Sequence, residues 1–140
     1  MKFPKLIYYA DDDQEDLQIL EDVATELGHN IRVFTSGTEL VRAVCDETIK
    51  PDIIFLDLIM PIVSGREILG EIRKCADFDN IPIVMFSTIY QGRQIIAEYI
   101  NEGANYILTK PNSFKEFLPM FSEILSIDWQ VYKPVPEDFL

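Results

Sequence analysis

Residues 53–56 read Ile-Ile-Phe-Leu, an unbroken apolar run that ends in a single carboxylate, Asp57, and is bounded by Pro51 and by Met60-Pro61. A strand of this composition has no solvent face, so both of its sides must be covered. Asp57 falls where the strand leaves the sheet, and the Met-Pro pair forbids continuing it. An acid held at the mouth of a sheet by a buried strand is either a structural cap or a reactive group. The stretch by itself does not choose between them.

The rest of the chain supplies the cover. Lys5 to Ala10 is an apolar, branched and aromatic run that stops at Asp11-Asp12-Asp13. From Gln14 to Leu27 the period turns helical, with Leu17, Leu20, Ala24 and Leu27 on one stripe and Gly28 as the stop. Ile31 to Phe34 is a short strand. Ser36-Gly-Thr-Glu39 and Ser64-Gly-Arg-Glu67 have the S-x-x-E form of a capping box and open helices through Val44 and Ile72. Ile81 to Phe86 is a fourth strand ending at Ser87-Thr88, Gln91 to Asn101 a helix closed by Gly103, and Asn105 to Thr109 a fifth strand ending at Lys110-Pro111. Ser113 opens the last helix, with Phe114, Phe117, Leu118, Phe121, Ile124 and Leu125 as its buried side and a kink expected at Pro119. Strict alternation of strand and helix predicts an α/β domain with a parallel sheet and right-handed crossovers. From Asp128 onward, Pro134 and Pro136 exclude a helix, while Trp129, Tyr132 and Phe139 argue against a free linker.

Composition narrows the function. A length of 140 residues suits one domain, and a formal net charge of −12 argues against nucleic acid or an anionic membrane as the partner of the bare domain. Cys45 and Cys75 show no zinc spacing and are expected to be reduced packing residues. The N-terminal apolar run breaks at Asp11, too short for a signal peptide or membrane span, so a cytoplasmic protein is expected. His29 has no partner nearby in sequence and is expected to be solvated.

Ligands of open parallel sheets bind outside the carboxyl ends of the strands. Those ends carry Asp11 and Asp12 (first strand), Asp57 (third), Ser87 (fourth) and Lys110 (fifth). Three carboxylates in one cleft need a counter-charge, and a hard divalent cation such as Mg2+ takes one or two carboxylates, waters and a phosphoryl oxygen. A carboxylate can accept a phosphoryl group, with metal, ammonium and hydroxyl each taking part of the transition-state charge. Asp13 reads as a helix cap or first-turn acid rather than a ligand.

Ala10-Asp11-Asp12-Asp13, Asp57-Leu-Ile-Met-Pro61 with Gly65, Met85-Phe-Ser-Thr88 and Thr109-Lys-Pro111 resemble the receiver domain of two-component response regulators, over roughly residues 5 to 127. The resemblance implies a flavodoxin-like (βα)5 fold with strand order 2-1-3-4-5. It implies Asp57 as phosphoacceptor, and Asp11, Asp12, Asp57 and the backbone carbonyl of Ile59 as ligands of Mg2+. Ser87 and Lys110 would contact phosphoryl oxygens, and the Lys110-Pro111 bond would be cis. The whole chain also looks like stand-alone receivers, including those that work with bacteriophytochromes, with residues 1–127 as the receiver and 128–140 as a tail without an output domain. The implied partner is a sensor histidine kinase or a histidine phosphotransfer protein, with a homodimer through the last two helices as a further surface and no chemistry beyond the protein's own phosphorylation and dephosphorylation.

Four positions depart from the family pattern or bear on its kinetics. The aromatic expected three residues before the lysine is Ile107, and Tyr106 stands one residue earlier, on the opposite face of a strand, where it is expected to pack under a helix. Thr88 replaces a small residue and is expected to narrow access to the phosphoryl group. Ile59 and Ile89 follow Asp57 and Ser87 by two residues and are expected to shield the phosphate from water. The Ile95, Ile96, Tyr99, Ile100 stripe reads as core. Two competing readings are a pseudo-receiver that binds partners without phosphorylation, and a small-molecule phosphatase or phosphotransferase. The complete set Asp11, Asp12, Asp57, Ser87 and Lys110 disfavours the first. The second lacks a D-x-D pair, because residue 59 is Ile, and lacks a Gly-rich phosphate loop.

Overall fold

A computed structural model describes residues 4–46, 48–60, 62–75, 80–88 and 92–132. The elements run β1 (Leu6–Ala10), α1 (Gln14–Glu26), β2 (Asn30–Phe34), α2 (Gly37–Asp46), β3 (Ile53–Asp57), α3 (Gly65–Arg73), β4 (Ile83–Ser87), α4 (Arg93–Asn101), β5 (Tyr106–Thr109) and α5 (Phe114–Leu125). All strand pairs are parallel and the sheet order is β2-β1-β3-β4-β5, the flavodoxin-like arrangement. The expected helix start at Gln91 lies outside the described residues, as do Pro61, Ile89, Pro134, Pro136 and Phe139.

Every residue of β3 and β4 is buried, as an apolar run without alternation requires. Each flank of the sheet has its own core. Tyr8, Ile54, Leu56, Ile83 and Met85 face α2, α3 and α4, whereas Ile7, Tyr9, Phe55, Val84 and Phe86 face α1 and α5. On the second side the aromatic rings of Phe55, Phe86, Phe117 and Phe121 stack or meet edge to face at 4.6–5.8 Å. The Ser-x-x-Glu caps form as read: Ser36, Ser64 and Ser113 hydroxyls accept from the N–H groups of Glu39, Glu67 and Glu116 at 3.2–3.3 Å. Pro119 sits inside α5, which runs on to Leu125.

Three expectations need correction. Ile96 is buried, but Ile95 is 36 % exposed, so the apolar stripe of α4 is narrower than the run of residues suggests. Adjacent helical residues point about 100° apart, and a short helix buries one of them. His29 is not simply solvated: its Nδ1 accepts the backbone N–H of Lys5 at 2.9 Å, tying the β1 entry to the α1–β2 turn. Phe114, read as part of the buried side of α5, is 38 % exposed at the first position of that helix. Trp129 is buried on the α1/α5 side, in edge-to-face contact with Tyr106 at 6.0 Å and with Tyr132 at 5.9 Å.

Trp129 and Tyr132 thus pack onto the domain, in keeping with the expectation that the segment is not a free linker. Truncating a buried Trp removes both transfer energy and packing, so Trp129→Ala is expected to lower unfolding free energy by about 2–4 kcal/mol in a urea titration. A loss under about 0.5 kcal/mol would show that the aromatic cluster does not bear on the core.

Candidate functional site

Strand register brings the polar residues together. Ala10 pairs with Leu56 and Asp57 with Phe86, so Asp11 and Asp57 leave adjacent strands side by side, and Ser87 pairs with Thr109 next to Lys110. Backbone hydrogen bonds extend the ladder past the strand ends. The N–H of Asp11 donates to Phe34 O at 3.1 Å, that of Leu58 to Phe86 O at 2.9 Å, and that of Lys110 to Ser87 O. Each functional side chain thus starts from a backbone fixed to its neighbour.

The geometry is that of an acidic cleft closed by one ammonium. Lys110 Nζ lies 2.8 Å from Asp11 Oδ2, 2.9 Å from Asp16 Oδ2 and 3.5 Å from Asp57 Oδ1. Asp11, Asp57 and Ser87 are the buried polar residues of the described chain, while Asp12 stands exposed at the rim. Burial alone would lower the Lys110 ammonium, but its hydrogen bonds to Asp11 and Asp16 and the charges of Asp11 and Asp57 outweigh that and hold it up. Burial, followed by the charge of Asp11, pushes the Asp57 carboxyl up to about 7, with Lys110 opposing.

The donor set fits a divalent cation. One ligand oxygen from each of Asp11, Asp12 and Asp57 lies within 4.8 Å of the others. Oxygens about 2.1 Å from an octahedral ion stand about 3–4 Å apart, so small side-chain rotations close the set. Ile59 lies in the connection directly after Asp57, and its side chain is 66 % exposed. Thr88 is exposed beside Ser87.

Sequence reasoning missed two contributors, Tyr9 and Asp16. The Tyr9 hydroxyl donates to Asp11 Oδ2 and is buried, which raises its own pKa, first through desolvation and then through the charge of Asp11. Tyr9 and Asp11 are two residues apart on one strand, so the i, i+2 spacing carried the signal. Asp16 reaches Lys110 because Asp13 caps α1, its Oδ1 accepting the N–H groups of Glu15 and Asp16 at 2.9 and 3.3 Å. Gly65 is required by a close approach: a Cβ there would stand 2.2 Å from the backbone oxygen of Asp57, and backbone cannot step aside. In the same connection Ile62 is held at φ 71°, a costly conformation for a branched residue, with its side chain fully exposed.

The raised Asp57 carboxyl has a definite pH signature. The folded state binds its proton more tightly than the unfolded chain, whose carboxyl keeps its ordinary value of 3.8, so stability falls as pH climbs from about 4 to about 7 and stays reduced above that. With divalent ions chelated, Asp57→Asn is expected to stabilise the protein by about 1–3 kcal/mol at pH 8 and by less at pH 5. Equal gains at both pH values would contradict the raised carboxyl.

Comparison with known proteins places this geometry. Residues 7–122 match the response regulator receiver domain family. The response regulator Rcp1 of Synechocystis is 28 % identical over 88 % of each chain, and the Mn2+-bound structure of an Rcp1 superposes with a TM-score of 0.76 at 26 % identity, covering 94 % of this chain and 100 % of that one. The phosphorylated cyanobacterial phytochrome response regulator RcpA gives a TM-score of 0.78 at 24 % identity over 91 % of this chain and 94 % of its own, a likeness of fold. The transcriptional regulatory protein KdpE of Mycobacterium tuberculosis is 27 % identical over 81 % of this chain, which spans only 47 % of KdpE. With that match and the strand-end cluster in place, the chain belongs to the response regulator receiver domain family.

Proposed function

We propose that the protein is a single-domain response regulator that takes a phosphoryl group from a phosphohistidine onto Asp57, with Mg2+ as the resident cation. The observation that carries the reading is the joint approach of one ammonium and three carboxylates: Lys110 Nζ stands 3.5 Å from Asp57 Oδ1, and Asp11, Asp12 and Asp57 share one candidate cation site. The donor is a sensor histidine kinase or a histidine phosphotransfer protein. A cytoplasmic location follows from such a donor, and among the described residues no helix is long and apolar enough to cross a membrane.

In the proposed transfer an Asp57 carboxylate oxygen attacks phosphorus in line, the P–N bond breaks, and the imidazole leaves. Asp11, Asp12, one Asp57 oxygen and the Ile59 carbonyl would hold a divalent ion, which would supply positive charge to the phosphoryl oxygens while the other Asp57 oxygen reacts. Lys110, released from Asp57, pairs with a phosphoryl oxygen, and the buried Ser87 hydroxyl donates to another. Tyr9 and Asp16 position Asp11 and Lys110 without touching phosphorus.

Output differs from the usual coupling of the hydroxyl residue to an aromatic. The residue three before the lysine, Ile107, is buried in the α4-side core, while Tyr106 lies on the other side with Trp129 and Tyr132. Ile107 has no hydroxyl to follow Ser87. We assign partner or second-copy contact to the flank of α4 and α5, where Ile95 and Phe114 are exposed.

Two measurements test the proposal. Incubation with Mg2+ and acetyl phosphate is expected to add one phosphoryl mass to the intact protein, to fail in Asp57→Asn, and to slow by about 10²-fold in Lys110→Met. No adduct would favour a phosphorylation-independent binding module, and steady turnover of varied phosphate esters a phosphatase. If the Ile59 side chain limits water at the acyl phosphate, Ile59→Asn shortens the adduct lifetime; an unchanged lifetime sinks that role.

A further inference from the structure

The edge of the domain opposite the phosphoacceptor carries a pair of side chains that signalling chemistry does not use. Helices of this fold begin near the carboxyl ends of the strands and finish at the other edge. Cys45 sits one residue before the end of α2, and Cys75 two residues beyond the end of α3. Their Sγ atoms are 2.9 Å apart. A sulfur–sulfur bond is about 2.0 Å long, so about 0.9 Å of approach separates the thiol pair from a bond.

Both partners are held in place. Lys50 Nζ donates to Val44 O at 2.7 Å and pins the end of α2. Arg73 anchors the end of α3 to the sheet edge, donating to Gly103 O, Ile81 O and Asn105 Oδ1, each at 2.9 Å. The Cys75 N–H donates to Ile72 O at 3.0 Å. At the other end of the helix pair, a Cβ on Gly37 would come within 2.3 Å of Ile68 Cγ1, so α2 and α3 are closely packed there too. Cys45 is exposed and Cys75 half-buried, within reach of a small reagent. A soft metal clip lacks ligands, because among the described residues the one cluster of three candidate ligands is Asp11, Asp12 and Asp57.

We infer that Cys45 and Cys75 are a modification site: they form a reversible intramolecular disulfide by exchange with a small disulfide of the glutathione class, stapling the ends of α2 and α3. One cysteine thiolate attacks a sulfur of the small disulfide; a mixed S–S bond forms and a small thiolate leaves. The second cysteine, after losing its proton, attacks the protein sulfur of that mixed bond, and the second small thiolate leaves. Two protein thiols are oxidised, one small disulfide is reduced to two thiols, and the protons pass to the departing thiolates. The hydrogen bond to Cys75, and then burial, push the Cys45 thiol up to about 11, which makes the exchange slow at neutral pH and the pair a staple rather than a fast sensor. The two residues are 30 apart in sequence, and the ring they close contains β3, Asp57 and α3. Closing it restricts the unfolded chain.

The test uses the full reduced chain in glutathione buffers of rising oxidised fraction, quenched in acid. Expected are a species about 2 Da lighter than the reduced protein, a cross-linked Cys45–Cys75 peptide, and a Tm higher by about 10 °C. Reductant reverses all three, and Cys45→Ser and Cys75→Ser each abolish them. Persistent glutathione adducts without ring closure, a disulfide-linked dimer, or a closed ring with unchanged Tm would each overturn the inference.

Discussion

Asp11, Asp12 and Asp57 repel one another, and the fold tolerates two of them in the interior because Lys110 stands among them. That ammonium is itself almost wholly buried, an expensive position relieved by Asp11, Asp16 and Asp57 together. The carboxylates of the cluster outnumber its single ammonium. Burial first, and the charge of Asp11 next, push the Asp57 carboxyl up to about 7. A divalent ion would offset the excess of negative charge. A phosphoryl group, bringing further negative charge, would draw Lys110 toward itself. On the proposed function, these events would satisfy a resting state that is electrostatically unsatisfied.

Rigidity is what allows such a cluster to persist. β3 and β4 are buried throughout, and backbone hydrogen bonds continue beyond their ends to Leu58 and Lys110. Gly65 brings the β3–α3 connection hard against the Asp57 carbonyl. The opposite edge is secured by other means: the Arg73 guanidinium spans Ile81, Gly103 and Asn105, and Asp52 Oδ2 accepts the N–H of Leu6 at 2.7 Å. One edge of the sheet is thus fastened, and the other carries strained and exposed connections such as that of Ile62. This division is what a switch on one edge of a stable scaffold requires.

The architecture was legible in the residues because apolar runs, caps and stops agree along the whole chain. Asp13 as a cap, the opposite faces of Tyr106 and Ile107, and the convergence of the strand ends all follow from period and position. What escaped depends on contacts between distant segments. Nothing local to Asp16 announces a bond to a lysine 94 residues away. Ile95 resembles its neighbours in composition and differs only in direction. Cys45 and Cys75 read as packing residues because their juxtaposition is a product of the α2–α3 contact. His29 gained a partner through the turn that brings it to Lys5.

The central claim is that the unsatisfied cluster exists to place a phosphoryl group on one oxygen pair, that of Asp57. Borohydride reduction of the phosphorylated protein, followed by tandem mass spectrometry, reads this directly, because an acyl phosphate is reduced to an alcohol. The account predicts homoserine in place of Asp57 and intact aspartate at positions 11 and 12. Homoserine at Asp11 or Asp12, or phosphate retained on a residue that borohydride leaves unchanged, would contradict it.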